Sequence, residues 1–323
     1  MLAPTFLNQE DFMKKNRKAQ KAMNVNSPLL QRSIGKWWPL FLLPIMVAFS
    51  IGFLYPFFSG FYLSMCKFTT TSDAEYIGFE NYTKAFHDPT FVHAFWYTAL
   101  FAITSLVIIN LIAFFVAYAL TMEIKGTNIF RTVFFMPNLI GGIVLGYIWS
   151  MIFNGVLLKY NTNILMKQKY GFWGLIILIC WQQIGYMMII YIAGLQAIPE
   201  DIKEAAKIDG AGRIKTLTHI TLPNIMPSIT ICVFLTLTNG FKLFDQNLAL
   251  TAGMPYEFKL NPDGTASIVK QTEMLALNIY NTFYGQSASA RGVAQAKAVM
   301  FFVLVAVISI VQLAVTRSRE VQQ

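Results

Sequence analysis

Six long stretches of this 323-residue chain contain no Asp, Glu, Lys or Arg: 37–66, 89–122, 132–158, 170–199, 216–241 and 298–316. The shortest has 19 residues, and a helix needs about 20 apolar residues to cross the hydrocarbon core of a bilayer. Only 13% of the residues are charged and 55% are hydrophobic, with a mean hydropathy of +0.51. A globular domain in water carries about 25% charged residues. A soluble domain, a nucleic-acid binder and a secreted disulfide scaffold are all poor matches to this pattern. The expected surroundings are a lipid bilayer, and the expected class is an all-α polytopic membrane protein with six transmembrane helices. A seventh charge-free run, 274–290, is rich in Asn, Gln and Ser and is not expected to span.

The net charge of +9 follows from the loops, because cytoplasmic loops of membrane proteins collect Lys and Arg. It therefore implies no nucleic-acid partner. Cys66, Cys180 and Cys232 are odd in number and lack a C-x-x-C spacing, so they are read as small core residues. His87, His93 and His219 are not spaced as a metal pair.

The spans are expected at about Pro39–Met65, Phe95–Met122, Val133–Phe153, Phe172–Ala193, Pro223–Leu248 and Ala298–Thr316. With the N-terminus inside, cytoplasmic segments hold fifteen Lys and Arg and outer segments nine, Lys242 being assigned to a span end. Both termini are then cytoplasmic. The expected organisation is a cytoplasmic tail over 1–37, a six-helix domain over 38–317 and a short cytoplasmic tail over 318–323. Within the domain, loop 194–222 lies inside and the long loop 249–297 outside. The stretch Phe12–Met23 has two readings, an amphipathic helix on anionic lipid or disorder.

Loop 194–222 carries the most distinctive chemistry. Pro199 suits the first turn of a helix, Glu200 and Asp201 complement its dipole, and Gly210 suits a left-handed end. Ile202, Ala205, Ala206 and Asp209 share one face by spacing, where two alanines would allow close approach by another protein. The residues alone leave two readings open: a short helix offered to a cytoplasmic partner, or an interfacial helix with no partner.

The run Glu204-Ala205-Ala206-x-x-Asp209-Gly210-Ala211, followed by Ile220-x-Leu222-Pro223, resembles the "EAA" loop of ATP-binding-cassette importer permeases. The resemblance covers about residues 38–316. Pro56–Ser64, Gly78-Phe-Glu-Asn-Tyr82 and Asp88-Pro-Thr-Phe91 look like the first span and outer loop of carbohydrate-uptake permeases. So do Arg131-Thr-Val-Phe-Phe-Met-Pro137 with Trp149, Phe244-Asp245, Leu250-Thr251-Ala-Gly-Met-Pro255, Thr272-Glu273 and Ile279-Tyr-Asn281. Two departures touch the outer loop: Met254 stands where a second Gly is usual, and 256–271 is longer than usual.

The resemblance implies a type I importer permease fold and a sugar substrate, with an oligosaccharide as the expected cargo. It implies four kinds of partner contact: a second, non-identical permease subunit, two ATPase subunits, an extracytoplasmic solute-binding protein and the bilayer. It implies that Glu204, Ala205, Ala206, Asp209 and Gly210 form the coupling helix that docks on an ATPase. No G-x-x-x-x-G-K-[ST] run occurs, so this chain is not expected to cradle ATP. ATP and Mg would be bound by the ATPase subunits, and the chain itself is expected to be neither an enzyme nor a cofactor binder.

For the substrate, Lys242 and Asp245 are ionisable groups at the end of a span and are functional candidates by default. Interfacial snorkelling or a structural pair is the alternative. Asn239, Gln246, Asn247 and Thr251 add amides and a hydroxyl suited to a polyol. Phe241 and Phe244 are candidates to stack on a sugar face, against the plainer reading of packing or lipid contact. The expected substrate-binding set is Asn239, Lys242, Phe244, Asp245 and Thr251. Three other classes fit the sequence less well. An importer for glycerol phosphate or an amino acid is disfavoured because no span has a central Arg. A secondary transporter would show inverted repeats. A membrane enzyme would place His or carboxylate clusters within spans.

Overall fold

A computed structural model of the chain describes residues 28–122, 125–260 and 266–318. The expectations for the first 27 residues, including Phe12–Met23, and for the last five lie outside the described residues. The chain divides at Ser59/Gly60 into two compact units. Helix α1 (Pro28–Phe49) contains Pro39 and Pro44 and passes through a π-helical turn, Ser50–Leu54, into α2 (Tyr55–Ser64). The apolar part, Trp37–Ser64, is 28 residues long, about 42 Å at 1.5 Å per residue.

A two-stranded ribbon, β1 (Cys66–Lys67) with β2 (Glu75–Tyr76), leads to α3 (Glu80–His87). Asp88 caps the next helix by accepting from the Thr90 N–H at 2.9 Å. Helix α4 (Pro89–Leu120) is 32 residues long. Its buried residues include Ala94, Thr98, Ala102, Ser105, Ile109, Ala113 and Ala117. Their three- and four-residue spacing makes one narrow stripe of mostly small side chains. Small stripes let membrane helices approach closely, where dispersion drives packing in the absence of a water-driven hydrophobic effect.

Helix α5 (Thr127–Phe135) ends in a 3₁₀ turn, Met136–Leu139, before α6 (Gly142–Leu157) begins. Helix α7 (Gln168–Gln196) is the most buried of the long helices and supplies the centre of the main core through Leu175, Leu178, Ile179, Met187 and Met188. Beyond it come α8 (Glu200–Ile208), α9 (Arg213–Asn224) and α10 (Met226–Phe241). Helices α9 and α10 meet at 71°. The short α11 (Asp245–Leu250), an antiparallel ribbon of β3 (Tyr256–Leu260) and β4 (Ala266–Lys270), α12 (Leu275–Gly285) and α13 (Arg291–Arg317) complete the described chain.

Five described helices are long and apolar enough to span, and the bent α9–α10 pair makes a sixth candidate. Two expected spans are corrected in shape. The third, placed at Val133–Phe153, is not one helix: it is broken at Met136–Leu139. Pro137 within this turn cannot donate to a helical ladder. The fifth, placed at Pro223–Leu248, is broken at Ile225 and again between Phe241 and Asp245. The run 274–290 does contain a helix, α12, but its 11 residues are too few to cross. Within segment 256–271, Tyr256–Leu260 and Ala266–Lys270 pair as the β3–β4 ribbon. All three cysteines are buried free thiols.

Glycine contacts set the closest crossings. A Cβ on Gly185 of α7 would lie 1.9 Å from the Phe134 carbonyl oxygen of α5. That neighbour is backbone and cannot rotate away. Gly185→Ala is therefore expected to push α5 off α7, at a cost of at least about 1–3 kcal/mol. A lowered thermal midpoint of the detergent-solubilised protein would register it. An unchanged midpoint would show that the crossing relaxes freely.

Candidate functional site

The breaks in spans three and five face each other. Gly142 and Gly146, four residues apart at the start of α6, receive α11: a Cβ on Gly142 would lie 2.8 Å from the Asp245 Cβ, and one on Gly146 2.5 Å from the Ala249 Cβ. Between the broken turn, α7 and the end of α10 lies a cavity of about 340 Å³. It is lined by Asn138, Gln182, Gln183, Asn239, Lys242, Leu243, Phe244, Asp245 and Gln246. Irregular backbone at membrane depth is tolerated where it lines such a cavity.

Seven of these nine side chains are polar, and their two charges cancel. One edge is internally bonded: Gln246 Nε2 donates to Gln182 Oε1 at 2.8 Å, and Gln182 Nε2 donates to the Ile140 carbonyl at 3.2 Å. Gln183 Oε1 is buried without a partner among the described residues. A buried acceptor left open costs free energy, so a cavity of this kind favours a ligand that donates hydrogen bonds. Phe244 sits 5.2 Å from Tyr280, which is 4.9 Å from Tyr284. These rings form an aromatic row beside the polar cavity.

Four of the five expected substrate residues, Asn239, Lys242, Phe244 and Asp245, are thus brought together. Thr251 is not among them. It is fully buried, its hydroxyl donates to the Asn247 carbonyl at 3.2 Å, and it accepts from Asn247 Nδ2 at 3.0 Å. Asn247 is also buried. It donates to the Thr272 carbonyl at 2.8 Å and accepts from the Met274 N–H at 3.0 Å. These two side chains hold the start of α12 instead of facing the cavity. Phe241 follows the plainer of its two readings: it packs in the core with Ala102 and Val305. The sequence reading missed Asn138, Gln182, Gln183 and Tyr280. The pair Gln182-Gln183 inside the apolar run 170–199 was the available signal.

In the loop after α7, Pro199 occupies the N-cap of α8, one position earlier than expected. Gly210 adopts φ +69°, the left-handed end expected of it. Glu204, Ala205 and Asp209 are exposed, but Ala206 is buried within the chain. The expected face of two alanines therefore splits, with Ala205 outward and Ala206 inward. Beside them Ile208 and Ile214 are 85% and 79% exposed. The Glu200 carboxyl is held below its usual range by its hydrogen bond to the Lys203 ammonium, at 2.8 Å.

A third polar cluster was not foreseen. Lys297 of α13 is fully buried. Its ammonium donates to Asp88 Oδ2 at 2.6 Å, Asn278 Oδ1 at 3.0 Å and Thr282 Oγ1 at 2.8 Å. Asn278 Nδ2 in turn donates to Glu273 Oε2 at 2.7 Å, and Asn281 binds the other oxygen of Glu273. Burial by itself would raise the Asp88 carboxyl, but the Lys297 charge and hydrogen bond, with the Thr90 donors, hold it below the usual carboxylate range. Asp88, Glu273 and Asn281 all lie in motifs that the sequence had singled out, whereas Lys297 did not.

Residues 109–321 match the family of the binding-protein-dependent transport system inner membrane component. The chain is 40% identical over 296 residues to a probable starch degradation products transport system permease protein of Thermoanaerobacterium thermosulfurigenes, covering 89% of this chain and 96% of that one. It is 28% identical to the multiple sugar-binding transport system permease protein of Streptococcus mutans, covering 90% and 99%. Among solved structures, a bacterial ABC transporter involved in the import of the acidic polysaccharide alginate contains a chain that aligns with a TM-score of 0.71 at 20% identity. That alignment covers 90% of this chain and 98% of that one, and it carries the fold.

Proposed function

Since the chain belongs to the family of the binding-protein-dependent transport system inner membrane component, we propose that it is the membrane-spanning permease subunit of an ATP-driven sugar importer, with oligosaccharide as cargo. The observation that carries the substrate class is the 40% identity, over nearly the full length of both chains, to a permease named for starch degradation products. The cavity agrees in chemistry. Its amides offer both donors and acceptors to hydroxyl groups, and the Phe244–Tyr280–Tyr284 row offers an apolar face to a pyranose ring. A phosphate ester would need a cationic excess, and the one lysine here is matched by one aspartate.

The proposed assembly contains a second, non-identical permease subunit, two ATPase subunits that bind ATP and Mg, and an extracytoplasmic binding protein. Both termini and helix α8 face the cytoplasm, where α8 docks on an ATPase. Closure of the ATPase pair moves α8 together with the ends of α7 and α9. That motion opens the cavity alternately to the two sides. The binding protein releases its sugar towards the β3–β4 side, and Asn239, Lys242, Phe244 and Asp245 receive it.

Uptake of labelled malto-oligosaccharides of increasing length by cells expressing the whole system tests the substrate class. Sugar uptake abolished by deleting this chain is the expected result, and uptake confined to a phosphorylated or amino-acid solute would overturn it. Asp245→Ala is expected to reduce uptake about 10- to 100-fold, as for one lost hydrogen bond to a charged group, with normal complex assembly. Native uptake by this variant would remove Asp245 from the sugar path.

A further inference from the structure

We propose that the groove between α5 and α7 holds one glycerophospholipid with an anionic headgroup, its phosphate bound by Arg131. The groove has a volume of about 350 Å³. Phe135, Ile189, Ile192 and Ala193 form its apolar lining, and Arg131, Thr132 and Gln196 are its polar groups. The Thr132 hydroxyl is already committed to the Asn128 carbonyl at 2.9 Å. Among the described residues, no carboxylate lines the groove.

Arg131 makes no ion pair among the described residues, and its Nε is buried without a hydrogen-bond partner. A guanidinium cannot discharge this by losing its proton. It needs an acceptor, and its forked donors match phosphate oxygens. Gln196 also lines a second cavity of about 490 Å³, which contains Lys203, Lys207 and Arg213. Among the described residues the one carboxylate there, Glu200, is paired with Lys203 at 2.8 Å. Among the described residues, the linings of these two adjoining cavities hold four cations and one carboxylate.

The occupant must satisfy an anion site and an aliphatic wall together. A free phosphate would leave the wall of Ile189, Ile192 and Phe135 uncovered, and water would leave the charge unmatched. A lipid with a phosphate head and an acyl chain satisfies both. Basic pockets between helices at the membrane surface recognise anionic lipids in this way. On the orientation proposed above, the lipid belongs to the cytoplasmic leaflet and lies one helix from the coupling loop. The inference rests on that reading only for the choice of leaflet.

The test is native mass spectrometry with lipid extraction, applied to the whole transporter purified in mild detergent. The wild type is expected to retain a phosphatidylglycerol or cardiolipin molecule. Arg131→Gln should lower that occupancy at least tenfold, and Arg131→Lys should do so less. Ile189→Trp, which fills the apolar side and leaves Arg131 in place, should also expel it. The exposed Lys125→Gln should retain it. After delipidation, phosphatidylglycerol vesicles should restore occupancy, whereas phosphatidylcholine vesicles or inorganic phosphate should not. Equal retention by wild type, Arg131→Gln and Ile189→Trp would overturn the proposal. So would a wild type that carries no lipid, or a cysteine at position 189 that cross-links to the second permease subunit. Lipid retention is read without sugar or ATP, so its failure is distinguishable from a failure of the transport reading.

Discussion

Asp88→Ala is expected to destabilise the protein by about 3–5 kcal/mol, the usual effect of removing one partner of a buried ion pair. The reason is Lys297, which is fully buried and spends its three N–H donors on Asp88, Asn278 and Thr282. Without Asp88 the carboxylate left in the cluster is Glu273, which is linked to Lys297 through Asn278. Asp88 also caps α4, so part of the loss, about 1 kcal/mol, belongs to the cap. Asp88→Asn preserves a capping side chain and removes the charge, and it should fall between Asp88→Ala and wild type. Adding Lys297→Met to Asp88→Asn should recover most of the loss, because an apolar side chain needs no counter-charge.

The pH dependence has a definite sign. A carboxyl held below its unfolded value contributes stability that is complete above about pH 4. That contribution falls away as the pH drops through the lower folded value. Thermal midpoints of the solubilised complex at neutral pH and near pH 3 would read both effects. A midpoint for Asp88→Ala equal to wild type at neutral pH would refute the clamp.

The second large effect concerns coupling. If α8 inserts into an ATPase groove, Glu204→Lys replaces a contact charge by its opposite. Truncating one member of a desolvated interfacial charge pair costs about 2–5 kcal/mol, and reversal costs no less. Ala205→Trp adds bulk on the exposed face. Ala206 is unsuitable for this test, because it is buried in its own chain and a larger side chain there would disrupt α8 itself. Gly210→Pro demands a φ near −65° where the backbone has +69°. All three variants should reach the membrane yet lose ATPase co-purification or sugar-stimulated ATP hydrolysis in vesicles. The exposed Lys215, outside the docked turn, should tolerate replacement. Native binding and stimulation in all three would mean that α8 is not the coupling element.

The two tests separate what could be read along the chain from what could not. The number and rough placement of the spans were legible because hydrocarbon excludes charge, and exclusion acts on local sequence. The helix of loop 194–222 and its Gly210 end were legible because caps and left-handed turns are also local. The four expected substrate residues that line the cavity, Asn239, Lys242, Phe244 and Asp245, lie within seven positions of one another.

Everything that depended on which side a residue faces, or on pairs distant in sequence, needed the tertiary structure. Periodicity put Ala205 and Ala206 on one face, but packing of α8 on its own chain divided them. Thr251 and Asn247 carry the same chemistry as the cavity side chains, and only their burial shows that they hold the start of α12. The break at Met136–Leu139 became a cavity wall because α11 docks on Gly142 and Gly146. Asp88 and Lys297 are 209 residues apart, and the sequence contains no local signal that joins them. Composition and local geometry determined that this chain crosses a membrane and roughly where its spans lie. Close packing between distant helices decided which of its polar groups are open to a ligand and which are consumed in holding the helices together.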